Sequence, residues 1–123
     1  MAIAEELRSI VEAFPQARVL AFADMTSRMV LCSAGGEALT QEYFEKLCKD
    51  AEIGFSDPMN ALASDAFGDA YGSIMIEPTG VRLFMRSESQ IDDVLCCVCD
   101  HGLDLGAFVA RIRATLETIS AGA

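Results

Sequence analysis

Apolar residues recur along this chain in two periods, and the order in which those periods alternate limits the folds open to it. Steps of three and four mark helical stripes at Ile3, Leu7, Ile10, Val11 and Phe14, and at Tyr43, Phe44, Leu47, Cys48 and Ala51. A third stripe runs through Leu105, Phe108, Val109, Ile112, Leu116 and Ile119. Between the stripes lie short β-rich runs at residues 18–23, 29–32, 71–77, 81–86 and 94–99. The order is helix, strand, strand, helix, strand, strand, strand, helix. Successive strands joined by short turns pair antiparallel. The pattern therefore predicts a single α+β domain over residues 1–123, a five-stranded antiparallel sheet flanked by helices.

Local signals place the boundaries. Pro15 ends the first helix, because the residue before a proline is pushed out of the helical region. Residues 24–28 (Asp-Met-Thr-Ser-Arg) are polar enough for a turn between the first two strands, without an Asn-Gly or Asp-Gly pair. Ser33-Ala34-Gly35-Gly36 reads as a flexible exit. Thr40 is placed to cap the second helix, with Leu39 and Phe44 as its hydrophobic staple, and Gly54 is expected to end it. Residues 55–70 form a long irregular connection in which Asp57-Pro58 caps a short helical piece through Ala61 and Leu62. Pro78-Thr79-Gly80 punctuates the clearest hairpin. In its second strand Val81, Leu83 and Met85 share one face, and Arg82, Phe84 and Arg86 the other. The unbroken apolar run Val-Leu-Cys-Cys-Val-Cys at 94–99 suits a strand covered on both faces at the centre of its sheet. Asp104 caps the last helix, with Leu103 and Phe108 as staple.

Composition narrows the function. A chain of 123 residues buries roughly two-thirds of its unfolded surface without staples. Its residues are 52% hydrophobic and its mean hydropathy is +0.31, high for a small monomer. Charge interrupts every apolar run well short of the ~20 residues of a spanning helix, so the excess points to an apolar interface and not to a membrane. The net charge of −10 repels phosphate backbones and anionic lipid, which argues against nucleic-acid and membrane partners and favours a basic protein surface. The N-terminus, Met-Ala-Ile-Ala-Glu-Glu, lacks the basic and apolar regions of a signal peptide. Five cysteines without a spaced framework then read as reduced thiols in a cytoplasmic protein.

Candidate chemistry is thin. Cys97 and Cys99 point to one strand face and Cys96 to the other. Two thiolates do not close a tetrahedral zinc site, so the three read as small hydrophobes in a core. Asp100-His101 has the types of an acid–base pair, but Gly102 places it in a turn, where a solvated histidine is the simpler reading. Asp92-Asp93, and Asp65 with Asp69, lack the spacing of a calcium loop. Gly35-Gly36 precedes a helix without the lysine of a phosphate loop. No catalytic, cofactor-binding or metal-binding residue is assigned, and no cofactor is expected.

The element order resembles the roadblock / dynein light chain family, with the two hairpins at 19–32 and 72–85 and the strand at 94–99 carrying the likeness. It covers residues 3–119 and departs from the family at the first turn, where Asp24-Met25-Thr26-Ser27-Arg28 replaces an Asp-Gly. The resemblance implies a non-enzymatic homodimeric scaffold or regulator, with a small Ras-like GTPase as a partner class. It also implies that the middle helix and the third strand meet their copies, which here selects Tyr43, Leu47, Ile74, Met75 and Ile76 as the dimer interface. The same α+β mixture occurs in ligand-sensing domains of the profilin, PAS and GAF type. In that alternative residues 55–70 would be the lid of a small-molecule pocket.

Overall fold

A computed structural model describes residues 3–35, 39–56, 72–87 and 89–122. Helix α1 (Ile3–Ala13) buries Leu7 and Ile10, and the Phe14 amide closes its last turn on the Ile10 carbonyl, just ahead of Pro15. Strands β1 (Ala17–Asp24) and β2 (Met29–Ala34) follow. Their turn is built by Asp24, whose carboxylate accepts the Thr26 amide and the Ser27 hydroxyl, each at 3.1 Å. Arg28 takes the left-handed position, at φ 57°, that a glycine fills in the commoner turn.

Helix α2 (Gln41–Ser56) is capped by Thr40, whose hydroxyl oxygen accepts the Tyr43 amide at 3.1 Å. Strands β3 (Gly72–Glu77), β4 (Gly80–Arg86) and β5 (Asp93–Cys99) come next, and α3 (Leu105–Gly122) closes the chain. Asp104 caps α3 by accepting the Ala107 amide at 3.3 Å. The strands form one five-stranded antiparallel sheet in the order β2-β1-β5-β4-β3, with β5 at its centre.

Alternation along the strands feeds two cores. On one face α1 and α3 cover Leu20, Phe22, Leu83, Met85, Leu95 and Cys97, and Phe14 meets Phe108 edge-on at 5.2 Å between centroids. On the other face α2 lays Leu47 and Ala51 over Ala21, Phe84, Val94 and Cys96. Each large side chain buried this way contributes about 1.5–3 kcal/mol.

Two boundaries differ from the sequence reading: β2 continues through Ser33 and Ala34, read there as part of a flexible exit, because both pair with β1, and the end of α2 lies further on. Gly54 does not end α2; the helix runs through it to Ser56. A Cβ at Gly54 would sit 2.6 Å from the Ser73 hydroxyl, so the glycine lets α2 approach β3 closely. The expected cap at Asp57-Pro58, the acidic pair Asp65 and Asp69, and Tyr71 and Gly36 all lie outside the described residues.

Candidate interaction surface

Strand β3 is one edge of the sheet. It pairs with β4 in unbroken register from Gly72 opposite Met85 to Glu77 opposite Gly80. A regular edge strand presents a row of backbone donors and acceptors to any chain that can pair with it. Its side chains divide between the two faces. Met75 packs half-buried toward α2, and Ile74 packs half-buried toward the α1/α3 core. Ile76, on the side of Ile74 by alternation, is 75% exposed.

Helix α2 flanks this edge. Tyr43 is half-buried at its start, with its ring 6.0 Å from that of Phe44. Leu47 is only 2% exposed, inside the α2 core of the single chain. Of the five residues selected from the sequence, the fold thus sets Tyr43 and Met75 half-buried on the α2 face, leaves Ile74 and the exposed Ile76 on the opposite face, and holds Leu47 beneath α2. The sequence reading missed Ile53, exposed on α2 three residues beyond Asp50. It also missed an ion-pair group in which Arg82 of β4 contacts Asp50 of α2 and Glu77 of β3, while Lys46 reaches Asp50 at 3.2 Å. The i,i+4 spacing of Lys46 and Asp50 was a readable signal; the link from either to Arg82 was not.

The thiols are poor reactants. Cys97 and Cys99 face the α1/α3 core and Cys96 the α2 core, so the sheet itself separates them. Burial raises the Cys48 thiol and pushes the Cys96 and Cys97 thiols well above their ordinary range. Burial, helped by the neighbouring Asp100 charge, raises Cys99 to about 12. Such groups stay protonated at neutral pH and are neither ready nucleophiles nor ready metal ligands. Among the described residues no three His, Cys, Asp or Glu side chains gather as a metal set. Exposed His101 donates from Nε2 to the Glu77 and Pro78 carbonyls, at 2.9 and 3.2 Å, and so clips the β3–β4 turn to the end of β5.

A concavity of about 340 Å³ lies at the far end of α2, lined by Met25, Glu52, Phe55, Arg86, Asp92 and Val94 among others. The Arg86 guanidinium stands 4.7 Å over the Phe55 ring within it. No helix among the described residues is long and apolar enough to cross a membrane.

No family model matches the chain, and no curated protein matches it in sequence. Solved structures do match in shape. A Roadblock/LC7 domain from Streptomyces avermitilis superposes with a TM-score of 0.72 at 12% identity, covering 96% of this chain and 94% of that one. The fold is that of the Roadblock/LC7 domain. MglB of Myxococcus xanthus shares it, with a TM-score of 0.70 at 15% identity over 98% of this chain and 96% of that one. So does an MglB structure described with a tetrameric arrangement, at a TM-score of 0.69 and 14% identity over 97% and 85%. In this roadblock fold the element order, the five antiparallel strands and the helices on both faces agree with the sequence reading.

Proposed function

We propose that this chain is a non-enzymatic, cytoplasmic scaffold or regulator that works as a homodimer. Its copies join along β3 and α2, and the dimer presents a two-fold surface to a protein partner. The observation that carries the reading is the regular β3 edge, whose outer side meets no other strand among the described residues, with Ile76 standing 75% exposed on it. Pairing β3 with its copy would satisfy the edge backbone and cover that side chain, uniting two sheets into one. Tyr43, Ile74, Met75 and Ile76 would line or border the seam, and Leu47 would hold α2 in place from within. The tetrameric arrangement described for a structural neighbour supports self-association. The roadblock resemblance supports a small Ras-like GTPase as the partner class.

Charge separates the two interactions. Each copy carries −10, so screening by salt should tighten self-association while loosening the grip on a basic partner surface. Sedimentation at low micromolar concentration tests the assembly; a monomer of 13.2 kDa at every salt concentration overturns it.

The cavity beside Phe55 favours a second reading, a small-molecule sensor, because its volume of about 340 Å³ falls in the range of small-ligand sites. Native mass spectrometry of freshly purified protein discriminates: a stoichiometric small molecule supports the sensor, and a ligand-free dimer supports the scaffold.

A further inference from the structure

We infer that Arg82 determines the specificity of the β3–α2 seam, by tying helix, edge strand and inner strand into one charge-balanced unit on which a second copy of this chain closes. The inference rests on the homodimer reading above. Arg82 lies on β4, directly opposite Met75 of the edge strand. Its NH1 group donates to Oδ2 of Asp50 on α2, and its Nε lies 3.5 Å from Oε2 of Glu77 at the end of β3. Lys46 donates to the same Asp50 oxygen at 3.2 Å.

Burial sets this group apart from the other ion pairs. The Arg82 and Asp50 side chains are 22% and 18% exposed, whereas those of Arg28–Glu52 and Arg18–Asp100 are 48% to 64% exposed. Well-exposed pairs are screened and contribute little; a largely desolvated pair that loses one member leaves the other charge stranded. The contact with Glu77 is also unfinished. Arg82 Nε is buried and makes no hydrogen bond among the described residues, although the carboxylate is near. Fixing the end of β3, as strand pairing would, completes it.

The charges identify the occupant. Two bases, Lys46 and Arg82, stand against two acids, Asp50 and Glu77, so this group of four is neutral in a chain of net −10, although α2 also exposes Glu42, Glu45, Lys49 and Glu52. A second copy brings the same neutral group and meets no net repulsion at this point of the seam. A basic partner finds no net attraction here and is better served by other faces.

Arg82→Met keeps the apolar stem and removes the charge, leaving one excess negative charge on each side of the seam. The expected result is a folded chain by circular dichroism whose self-association is weakened about tenfold or more and recovers in high salt. Adding Asp50→Asn to Arg82→Met removes the stranded carboxylate, returns the group to neutrality with Lys46 and Glu77, and should restore self-association. If Arg82→Met does not fold, Glu77→Gln decides at a side chain 39% exposed: weakened association supports the inference and unchanged association overturns it. A folded Arg82→Met chain that associates as tightly as the native one, with the same salt dependence, overturns the inference and leaves the homodimer standing. A native chain that stays monomeric overturns both.

Discussion

The two edges of the sheet differ in a way that exposure alone does not reveal. β2 carries Met29 and Leu31, 52% and 58% exposed; β3 carries Ile76, 75% exposed. By apolar surface both edges invite a partner. Their backbones do not agree. The β1–β2 ladder shifts register between Phe22 and Ala23, with Leu31 the extra residue, and the turn leading into β2 holds Arg28 in the left-handed region. A bulge twists an edge and interrupts its row of donors and acceptors, a common protection against unwanted pairing. The β3–β4 ladder has no such shift. The regular ladder is what makes β3 the better candidate for pairing; exposed side chains add area.

Charge substitutions at the two edges give the largest expected contrast. Ile76→Glu should weaken self-association by about 2 kcal/mol or more, on the order of thirtyfold in the dissociation constant. Leu31→Glu should leave it unchanged. Both side chains are exposed in the single chain, so folding stability should move by less than about 0.5 kcal/mol in either. Sedimentation of the two variants side by side checks this, and equal losses at both edges would break the comparison.

The strand between the edges should set the alkaline limit of the fold. The Cys96, Cys97 and Cys99 thiols of β5 are raised by burial above their ordinary value near 9.0. The folded chain therefore holds their protons where the unfolded chain releases them. Their contribution is fully present below pH 9 and is lost as pH rises, through about 12 for Cys99, with a slope of at most about 1.4 kcal/mol per pH unit for each thiol. Denaturant unfolding at a series of alkaline pH values should show this decline, and Cys97→Ala should make it shallower.

A smaller effect is expected where α2 meets β3. Gly54→Ala gains about 1 kcal/mol of helix propensity but drives a methyl group into the Ser73 hydroxyl, 2.6 Å from the new Cβ, at a cost of about 1–3 kcal/mol. A net loss near 1 kcal/mol should follow, reduced in a Ser73→Ala background. Thermal unfolding of the four chains checks it. If the loss is the same in both backgrounds, the close approach is not what Gly54 serves. Nothing comparable is expected on the β2 side, where Leu31 already faces solvent.

Much of this architecture was readable without coordinates, because it rests on short-range rules. The helical stripes, the Thr40 and Asp104 caps, the stop before Pro15, and the opposite faces of Cys96 and Cys97 all follow from periodicity and hydrogen bonds between residues a few positions apart. Other features depended on segments distant in sequence. Gly54 looks like a helix terminator until β3 is placed against it. Leu47 looks like an interface residue until the sheet beneath α2 buries it to 2%. Arg82 and Asp50 are 32 residues apart, and no local rule joins them. The strand order β2-β1-β5-β4-β3, which leaves the regular β3 ladder at an edge, is likewise a result of packing. Local sequence determined which elements form and which residues face a core, since dihedral preference and side-chain period act within a few residues. The tertiary structure alone decided which strands lie at the edges and which charges meet, since those depend on how the completed elements fit against one another.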